Sequence, residues 1–229
     1  MKPGGPTIRW KRLEGATGIL FLLLLFTGLI LGQIANRPGD NAPAPDFAAA
    51  LLDNELIHSA SAWFIGLAGL SFLWFIHTLR YTLQQRENGV EPLSGLVFTA
   101  GTLWGLMWLL AAQFLTMAVG LAGYYEHPAG AKTLFILAAM PVNEQGPLLP
   151  AVLVGATALA LRRTPAFPRW YGQMSLLLAP LLLIGSGLSV VGLAFPVLPL
   201  SFLFFFLWIL TTSILLFRQA NDRGVESSR

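Results

Sequence analysis

The stretch from Leu93 to Gly123, LSGLVFTAGTLWGLMWLLAAQFLTMAVGLAG, decides the fold class of this chain. It contains no charged residue and exceeds the roughly 20 apolar residues that an α-helix needs to cross a hydrocarbon core of about 30 Å. A helix also satisfies all its backbone hydrogen bonds within one segment, as a lipid environment requires. The stretch therefore predicts a transmembrane helix.

The composition of the whole chain agrees with this prediction. The 229 residues are 55% hydrophobic and 11% charged, whereas a soluble domain carries about 25% charged residues. This excludes a soluble globular enzyme. The chain has no cysteine, so disulfides, thiolate nucleophiles and cysteine-ligated metals are excluded as well. The net charge of +3 does not indicate nucleic-acid binding, because the basic residues flank apolar segments instead of clustering on one face.

Apolar segments of similar length occur on both sides of this stretch and predict an all-α, polytopic transmembrane helical bundle of six spans. Residues 1–15 form a basic N-terminus, 16–217 the transmembrane domain and 218–229 a polar tail that we expect to be disordered. The first segment resembles a signal peptide, but no A-x-A site follows it, so we expect it to be retained. The predicted spans are Ala16 to Gln33, Ile57 to Leu79, Leu93 to Gly123, Val142 to Leu161, Tyr171 to Leu193 and Pro199 to Phe217.

Lysine and arginine are unequally distributed between the two sides of this bundle. With a cytoplasmic N-terminus, only Arg37 and Lys132 of the 14 Lys and Arg residues lie outside. The positive-inside rule then predicts an even number of spans and both termini in the cytoplasm. Aromatic anchors are expected at the same boundaries. They are Trp10, Tyr81, Trp170 and Tyr171 on the inner side and Tyr124 and Tyr125 on the outer side.

Two outer loops are long enough to contain short elements. In the first, we expect Asp46 to cap a helix, FAAALLDNELIH, that runs without a break into the second span. The second, from Tyr124 to Met140, contains the apolar octet TLFILAAM, which is too short to span a membrane. It is either an interfacial or re-entrant piece or an outer extension of the fourth helix, kinked at Pro141.

Small and polar residues at helical spacing predict where the helices pack. In lipid, small residues let backbones approach, and Thr or Gln side chains hydrogen-bond across helices. We therefore expect the third span to turn its polar stripe, with Thr99, Gln113 and Thr116, towards the bundle, and Trp104 and Trp108 away from it. The glycines expected at helix contacts are Gly66, Gly69, Gly101, Gly105, Gly120, Gly185 and Gly192.

Polar residues at membrane depth are few and are the candidate functional residues. Glu144, Gln113, Thr116 and His77 are the candidates for a ligand or ion path. Ser186 in IGSGLS lacks the preceding glycine and the later histidine of rhomboid intramembrane proteases, so no catalytic residue, cofactor or metal is predicted. Several outer side chains are capable of binding metal but lack a metal-binding spacing, and we interpret them as solvated. They are His58, His127, Glu126, Asp53, Glu55 and Glu144.

Four stretches carry a resemblance to a family. They are PAPDFAAALLD before the second span, FLWFIHTLRYTL at its end, the turn LRRTPAFPRWYG and the last helix LWILTTSILLFR. With them, the chain resembles uncharacterised multi-span integral membrane proteins of actinobacteria, a domain of unknown function, from about Pro43 to Phe217. The resemblance implies a bacterial inner-membrane location and no established activity, ligand or catalytic residue.

These observations favour a non-catalytic accessory, lipid-interacting or interaction subunit of the bacterial plasma membrane. Its expected partners are membrane lipids, with Arg162, Arg163 and Arg169 at anionic headgroups, and a protein partner or a second copy. One alternative is a small transporter or channel with a polar path near Glu144, Gln113 and Thr116. A second alternative is a cofactor-dependent membrane enzyme that uses His77 or the outer histidines.

Overall fold

The computed structural model describes residues 8–35, 39, 41–85, 93–141, 146–163, 166–190 and 197–226. These residues form eight α-helices and no β-strand, which confirms the all-α prediction for this part of the chain. The helices are α1 (Ile8–Ile34), α2 (Ala44–Asp53), α3 (Glu55–Gln84), α4 (Leu93–Gly123), α5 (Pro128–Leu137), α6 (Leu148–Arg163), α7 (Arg169–Val190) and α8 (Val197–Glu226).

Five helices of the described chain are long and apolar enough to cross a membrane. They are α1 over Gly15–Ile34, α3 over Glu55–Gln84, α4 over Leu93–Gly123, α7 over Arg169–Leu188 and α8 over Val197–Gln219. Five of the six predicted spans therefore coincide with such helices. At the predicted fourth span, α6 has only 16 residues, or about 24 Å at a rise of 1.5 Å per residue. Its start is limited by proline, because Pro147 precedes it and Pro150 lies in its first turn.

Six helices form a closed ring in chain order. From α1 through α3, α4, α6 and α7 to α8, each packs against the next, and α8 packs back against α1. Aromatic side chains fill the middle. The ring of Trp104 on α4 lies 4.8 Å from Phe72 of α3, 5.1 Å from Phe205 of α8 and 5.9 Å from Phe21 of α1, between centroids. All four side chains are completely buried. The described bundle is therefore solid at this level.

Contacts between distant segments define one end of the bundle, which we call the terminal end. There α1 begins against α8, so closely that a Cβ added at Gly15 would lie 2.8 Å from the backbone nitrogen of Phe217. Gln219 of α8 also donates a hydrogen bond from Nε2 to the carbonyl of Ala166, in the turn between α6 and α7. The start of α1, the end of α6 and the end of the crossing part of α8 therefore lie together.

The opposite end is covered by α2 and α5, which we call the two-helix cap. The two helices pack against each other and against α4. Their shared apolar cluster includes Phe47 and Leu51 of α2 and Ala131 of α5. Lys132 of α5 donates a hydrogen bond from Nζ to the carbonyl of Ala42, just before α2, at 2.8 Å. The cap is thus joined by both apolar packing and a polar contact.

The polar stripe of α4 faces the opposite way to the prediction. Trp104 and Trp108 are 0% and 2% exposed, whereas Thr99, Gln113 and Thr116 are exposed. The prediction was wrong because it assumed that only small residues face the inside of a helical bundle. A ring of six helices has a wide centre, and large side chains are needed to fill it to normal packing density.

Tyr171 was predicted as an interfacial anchor, and that prediction is also wrong. Its side chain is completely buried between α7 and α8, where its hydroxyl is hydrogen-bonded to Thr212. Ser175 of α7 and Thr212 of α8 lie beside the hydroxyl. The hydroxyl can therefore be hydrogen-bonded inside the bundle and does not depend on water at the membrane interface. The predicted anchors that lie exposed are Tyr81, Tyr124, Tyr125 and Trp170. The side chain of Trp10 lies outside the described part.

Two helix boundaries differ from the predictions, and for TLFILAAM the alternative of an extension of the fourth helix is excluded. α2 and α3 are separate helices, with Asn54 at φ −126° between them, and Asp46 lies in the first turn of α2 without capping it. The segment TLFILAAM belongs largely to a short helix of its own, α5, whose N-cap is His127. α8 continues to Glu226, where a disordered tail after Arg218 was expected. In each case a local signal was overruled by helix continuation or by packing.

Candidate functional site

α3 and α4 approach closely at glycine residues, which have no side chain. A Cβ added at Gly101 would lie 2.5 Å from Cδ1 of Ile76, and one at Gly105 would lie 2.7 Å from Cδ2 of Leu73. A Cβ at Gly69 would lie 3.1 Å from a leucine side chain of α4. Close approach of this kind is how helices associate in lipid. Three of the predicted packing glycines therefore lie in one helix contact.

The other predicted packing glycines are in different surroundings. Gly66 is less tightly enclosed, with Cβ of Ala112 at 3.5 Å from an added Cβ. Gly185 of α7 lies in the contact with α8, where an added Cβ would be 2.9 Å from Oγ of Ser201. An added Cβ at Gly120 would meet nothing within 4 Å. Gly192 lies outside the described residues.

A groove opens between α3 and α4 on the outer surface of the ring, towards the two-helix cap. Its volume is about 500 Å³. Near the groove, the closest atom to an added Cβ is 3.5 Å away at Gly66, against 2.5 Å at Gly101. The groove is lined by Ser59, Ala62, Trp63, Gly66, Leu67, Leu70, Leu109, Ala112, Gln113 and Thr116. We call it the α3–α4 groove.

Gln113 is the residue of this groove that carries a carboxamide, which can form hydrogen bonds with a bound molecule. α4 has 31 residues, about 46 Å in length, and Gln113 lies about 15 Å from its end at the cap. A hydrocarbon core of about 30 Å centred on α4 would therefore include Gln113. Its side chain is exposed, and its carboxamide makes no hydrogen bond within the described chain. Thr116 differs, because its hydroxyl donates to the carbonyl of Ala112 at 3.0 Å. A carboxamide in hydrocarbon without a partner is energetically costly.

A second groove of similar volume, about 510 Å³, lies between α1 and α3 and serves as a comparison. One of its polar groups, the hydroxyl of Ser71, donates to the carbonyl of Leu67 within its own helix. No carboxamide or charged side chain lines it. The lining residues are Thr17, Leu20, Leu24, Leu67, Leu70, Ser71 and Trp74. The two grooves therefore have similar volumes, and the carboxamide of Gln113 is what distinguishes the α3–α4 groove.

The predicted path residues do not form one site. Gln113 and Thr116 line the α3–α4 groove. His77 is exposed on α3, beyond the groove towards the terminal end. Glu144 lies outside the described residues. The structure thus brings two of the four together, on the outer surface of the ring and away from its aromatic interior.

The three arginines predicted at headgroups lie around the turn between α6 and α7. Arg162 and Arg163 are in the last turn of α6, and Arg169 begins α7. All three side chains are exposed. They lie at the terminal end, where Gln219 contacts this turn.

Sequence reasoning missed the glycines of α1. An added Cβ at Gly28 would lie 2.8 Å from the side chain of Ile65, and Ser61 donates a hydrogen bond from Oγ to the Gly28 carbonyl at 2.7 Å. Gly15 lies against the backbone of α8. The signal was present, since Gly28 and Gly32 form a GxxxG. It is a weak signal in the sequence, because α1 lacks a polar stripe like that of α4.

His58 was interpreted as a solvated outer group, and this interpretation is wrong. It lies in the second turn of α3 and is only 1% exposed. Neither ring nitrogen has a hydrogen-bond partner within the described chain. The prediction failed because it placed His58 by its distance from the end of the span and did not foresee that α5 covers it. In the described part, no group of three or more His, Asp or Glu side chains is placed to hold a metal ion.

The fold defines a helical, multi-pass membrane protein, because five of its helices are long and apolar enough to cross a membrane. No protein-family model, curated protein or solved structure matches the chain. Its function is therefore inferred from its own residues.

Proposed function

We propose that the chain is a six-span protein of the bacterial plasma membrane, with both termini in the cytoplasm. In this proposal it is a non-catalytic interaction subunit that binds a transmembrane helix of another membrane protein in the α3–α4 groove. The bacterial location rests on the resemblance to actinobacterial membrane proteins. The span count, the orientation and the partner rest on the following observations.

The path of α6 supports a sixth span. α6 begins shortly after α5, which belongs to the cap, and ends at the turn that Gln219 contacts at the terminal end. It therefore leads from the side of the cap towards the terminal end, and it fills the place between α4 and α7 in the ring. A length of about 24 Å suits a locally thinned bilayer or a loop that dips into the headgroup region.

The basic residues support a cytoplasmic terminal end. Arg162, Arg163 and Arg169 lie at this end, together with the start of α1, which the basic N-terminus precedes in sequence. Positive charge on short loops favours the cytoplasmic side. In this orientation the three arginines contact anionic headgroups.

The single observation that carries the interaction role is that the carboxamide of Gln113 lies on the outer surface of the ring, whereas the interior around Trp104 is aromatic. The interior of the ring is filled by Trp104 and its aromatic neighbours, whereas the unpaired carboxamide of Gln113 faces outwards. A transporter would need polar groups along a path inside the ring, but the polar groups buried between α7 and α8 are hydrogen-bonded to one another. This arrangement therefore gives less support to a path through the bundle. A carboxamide on the lipid-facing surface favours a lateral partner that supplies a hydrogen bond.

The test is native mass spectrometry of the protein released gently from its own membrane. The wild type is expected to retain a second protein subunit at fixed stoichiometry, and Gln113→Leu is expected to lose most of it. Gln113→Leu replaces the hydrogen-bonding carboxamide with an apolar side chain of similar size. A photoreactive amino acid at position 113 should also cross-link to the same subunit.

The matched control is Thr99→Val. Thr99 is exposed on the same helix and lies outside the groove, and its hydroxyl already donates to the carbonyl of Gly95 at 3.0 Å. Thr99→Val should therefore retain the subunit. A wild type that carries lipid alone, or a Gln113→Leu variant that retains its partner, would contradict the proposal.

A further inference from the structure

His58 is one of five residues of the described chain with buried polar side-chain atoms that have no hydrogen-bond partner, and it alone has two such atoms. The others are Arg80, Trp104, Trp108 and Ser213, with one atom each. The imidazole of His58 has two nitrogens, of which a neutral ring offers one donor and one acceptor. Both nitrogens are buried and unpaired, and the residue is 1% exposed. Buried polar groups in folded proteins are nearly always hydrogen-bonded, and an exception asks for an explanation.

The cap helices cover this imidazole with aromatic rings. Phe135 of α5 meets His58 edge-on, with centroids 5.8 Å apart and planes at 89°. On its other side, Phe135 contacts Phe47 of α2 at 5.2 Å. The chain Phe47, Phe135 and His58 therefore joins both cap helices to α3. A movement of α5 that carries Phe135 away from α3 therefore removes the aromatic ring that contacts the imidazole.

Among the described residues, no charged group near the cap pairs with His58. The titratable residues of the surrounding elements are Asp46 and Asp53 on α2, Glu55 on α3, Lys132 on α5, and Tyr124, Tyr125, Glu126 and His127 between α4 and α5. None of them hydrogen-bonds the imidazole. Lys132 donates to Ala42, and His127 accepts from the backbone of Gly130. At this end of the bundle, α1, α4 and α6 carry no titratable residue among those described. Arg37, Asp40 and Glu144 lie outside the described residues.

We propose that the two-helix cap is a pH-sensitive gate, which closes over neutral His58 and opens when the imidazole takes up a proton. In the closed cap an imidazolium is buried without a partner, which is strongly unfavourable. In an open cap, water solvates it. Because protons then bind the open state more tightly than the closed state, lowering the pH shifts the population towards the open state.

Because the chain has no cysteine, spin labels can be attached to two introduced cysteines alone. The labels do not titrate themselves. Spin labels on Ile136→Cys of α5 and Leu183→Cys of α7 use two exposed positions, and their separation follows the cap relative to the ring. It is measured at about pH 7.5 and about pH 5.5, on either side of the pKa of about 6.5 of a solvated imidazole. At the lower pH a second, longer-distance population is expected in the wild-type background.

Variants separate His58 from the other histidine near the cap. His58→Phe and His58→Gln remove the titrating group and should give one short distance at both pH values, and the second variant serves if the first does not fold. His127→Asn keeps a side-chain acceptor at the N-cap of α5 and should retain the pH-dependent shift. A wild type with one distance at both pH values, or a shift that is lost in His127→Asn and kept in both His58 variants, would overturn the proposal. Neither result bears on the partner in the α3–α4 groove.

Discussion

Two contacts of the ring join their helices in different ways. α3 and α4 approach through glycine, since Gly101 and Gly105 lack the side chains that would collide with Ile76 and Leu73. α7 and α8 also come close at Gly185, but around Tyr171 and Trp208 they are joined by polar groups. Trp208 donates from Nε1 to Oγ of Ser175 at 2.9 Å, Ser175 donates to the carbonyl of Tyr171 at 2.9 Å, and Tyr171 is hydrogen-bonded through its hydroxyl to Thr212.

The difference shows two solutions to one problem. Between helices in lipid, burial of apolar surface gives little driving force, because lipid tails are as apolar as leucine. The α3–α4 contact gains van der Waals contact by close approach, and a side chain added there must collide. The α7–α8 contact gains directional hydrogen bonds, and a polar atom removed there leaves another unpaired. The two contacts should therefore respond to opposite kinds of substitution.

The largest effect is expected for Gly101→Ala. The new Cβ would lie 2.5 to 2.9 Å from three carbon atoms of Ile76, which is completely buried and has little room to move. Overpacking of this kind costs about 1–3 kcal/mol. The free energy of unfolding is measured by titrating the purified protein in mixed micelles with a denaturing detergent.

A double-mutant cycle tests the cause of this loss. Ile76→Ala removes the three atoms nearest to the new Cβ, so Gly101→Ala should cost much less in that background than in the wild type. Additive losses would show that the collision with Ile76 is not the cause.

A smaller loss is expected for Tyr171→Phe. Thr212 donates from its hydroxyl to the Trp208 carbonyl at 2.6 Å, so the hydroxyl of Tyr171 is the donor of the bond between them. Removal of that hydroxyl leaves the ring in place and takes one hydrogen bond from the α7–α8 contact. The expected loss is about 1 kcal/mol, measured in the same detergent titration.

The control for Tyr171→Phe is Thr211→Val on α8. The hydroxyl of Thr211 bonds to the carbonyl of Leu207 within its own helix, so it contributes nothing to the contact with α7. Thr211→Val should leave stability nearly unchanged. An equal loss in both variants would mean that the network between α7 and α8 is not what the tyrosine hydroxyl supports.

Sequence alone predicted the helical fold and five of its membrane-crossing helices, because length and apolarity are properties of a single segment. It did not predict which way α4 faces, since Trp104 is buried only because the six helices close into a ring around it. The same limit applies to the candidate site. Gln113 was predicted as a polar residue at membrane depth and is found exposed on α4, whereas the burial of His58 next to Phe135 of α5 could not be foreseen from α3 alone.

The smallest effect, and the sharpest check on the glycine contact, is expected for Gly120→Ala on α4. Gly120 is, like Gly105, one of the packing glycines predicted on α4, but an added Cβ there would meet nothing within 4 Å. Alanine is the better helix former by roughly 0.5–1 kcal/mol, so Gly120→Ala should be neutral or slightly stabilising in the detergent titration. If it destabilised the protein as much as Gly101→Ala, the cost of both would come from the loss of glycine itself. The close approach of α3 and α4 would then not explain why glycine is needed at position 101.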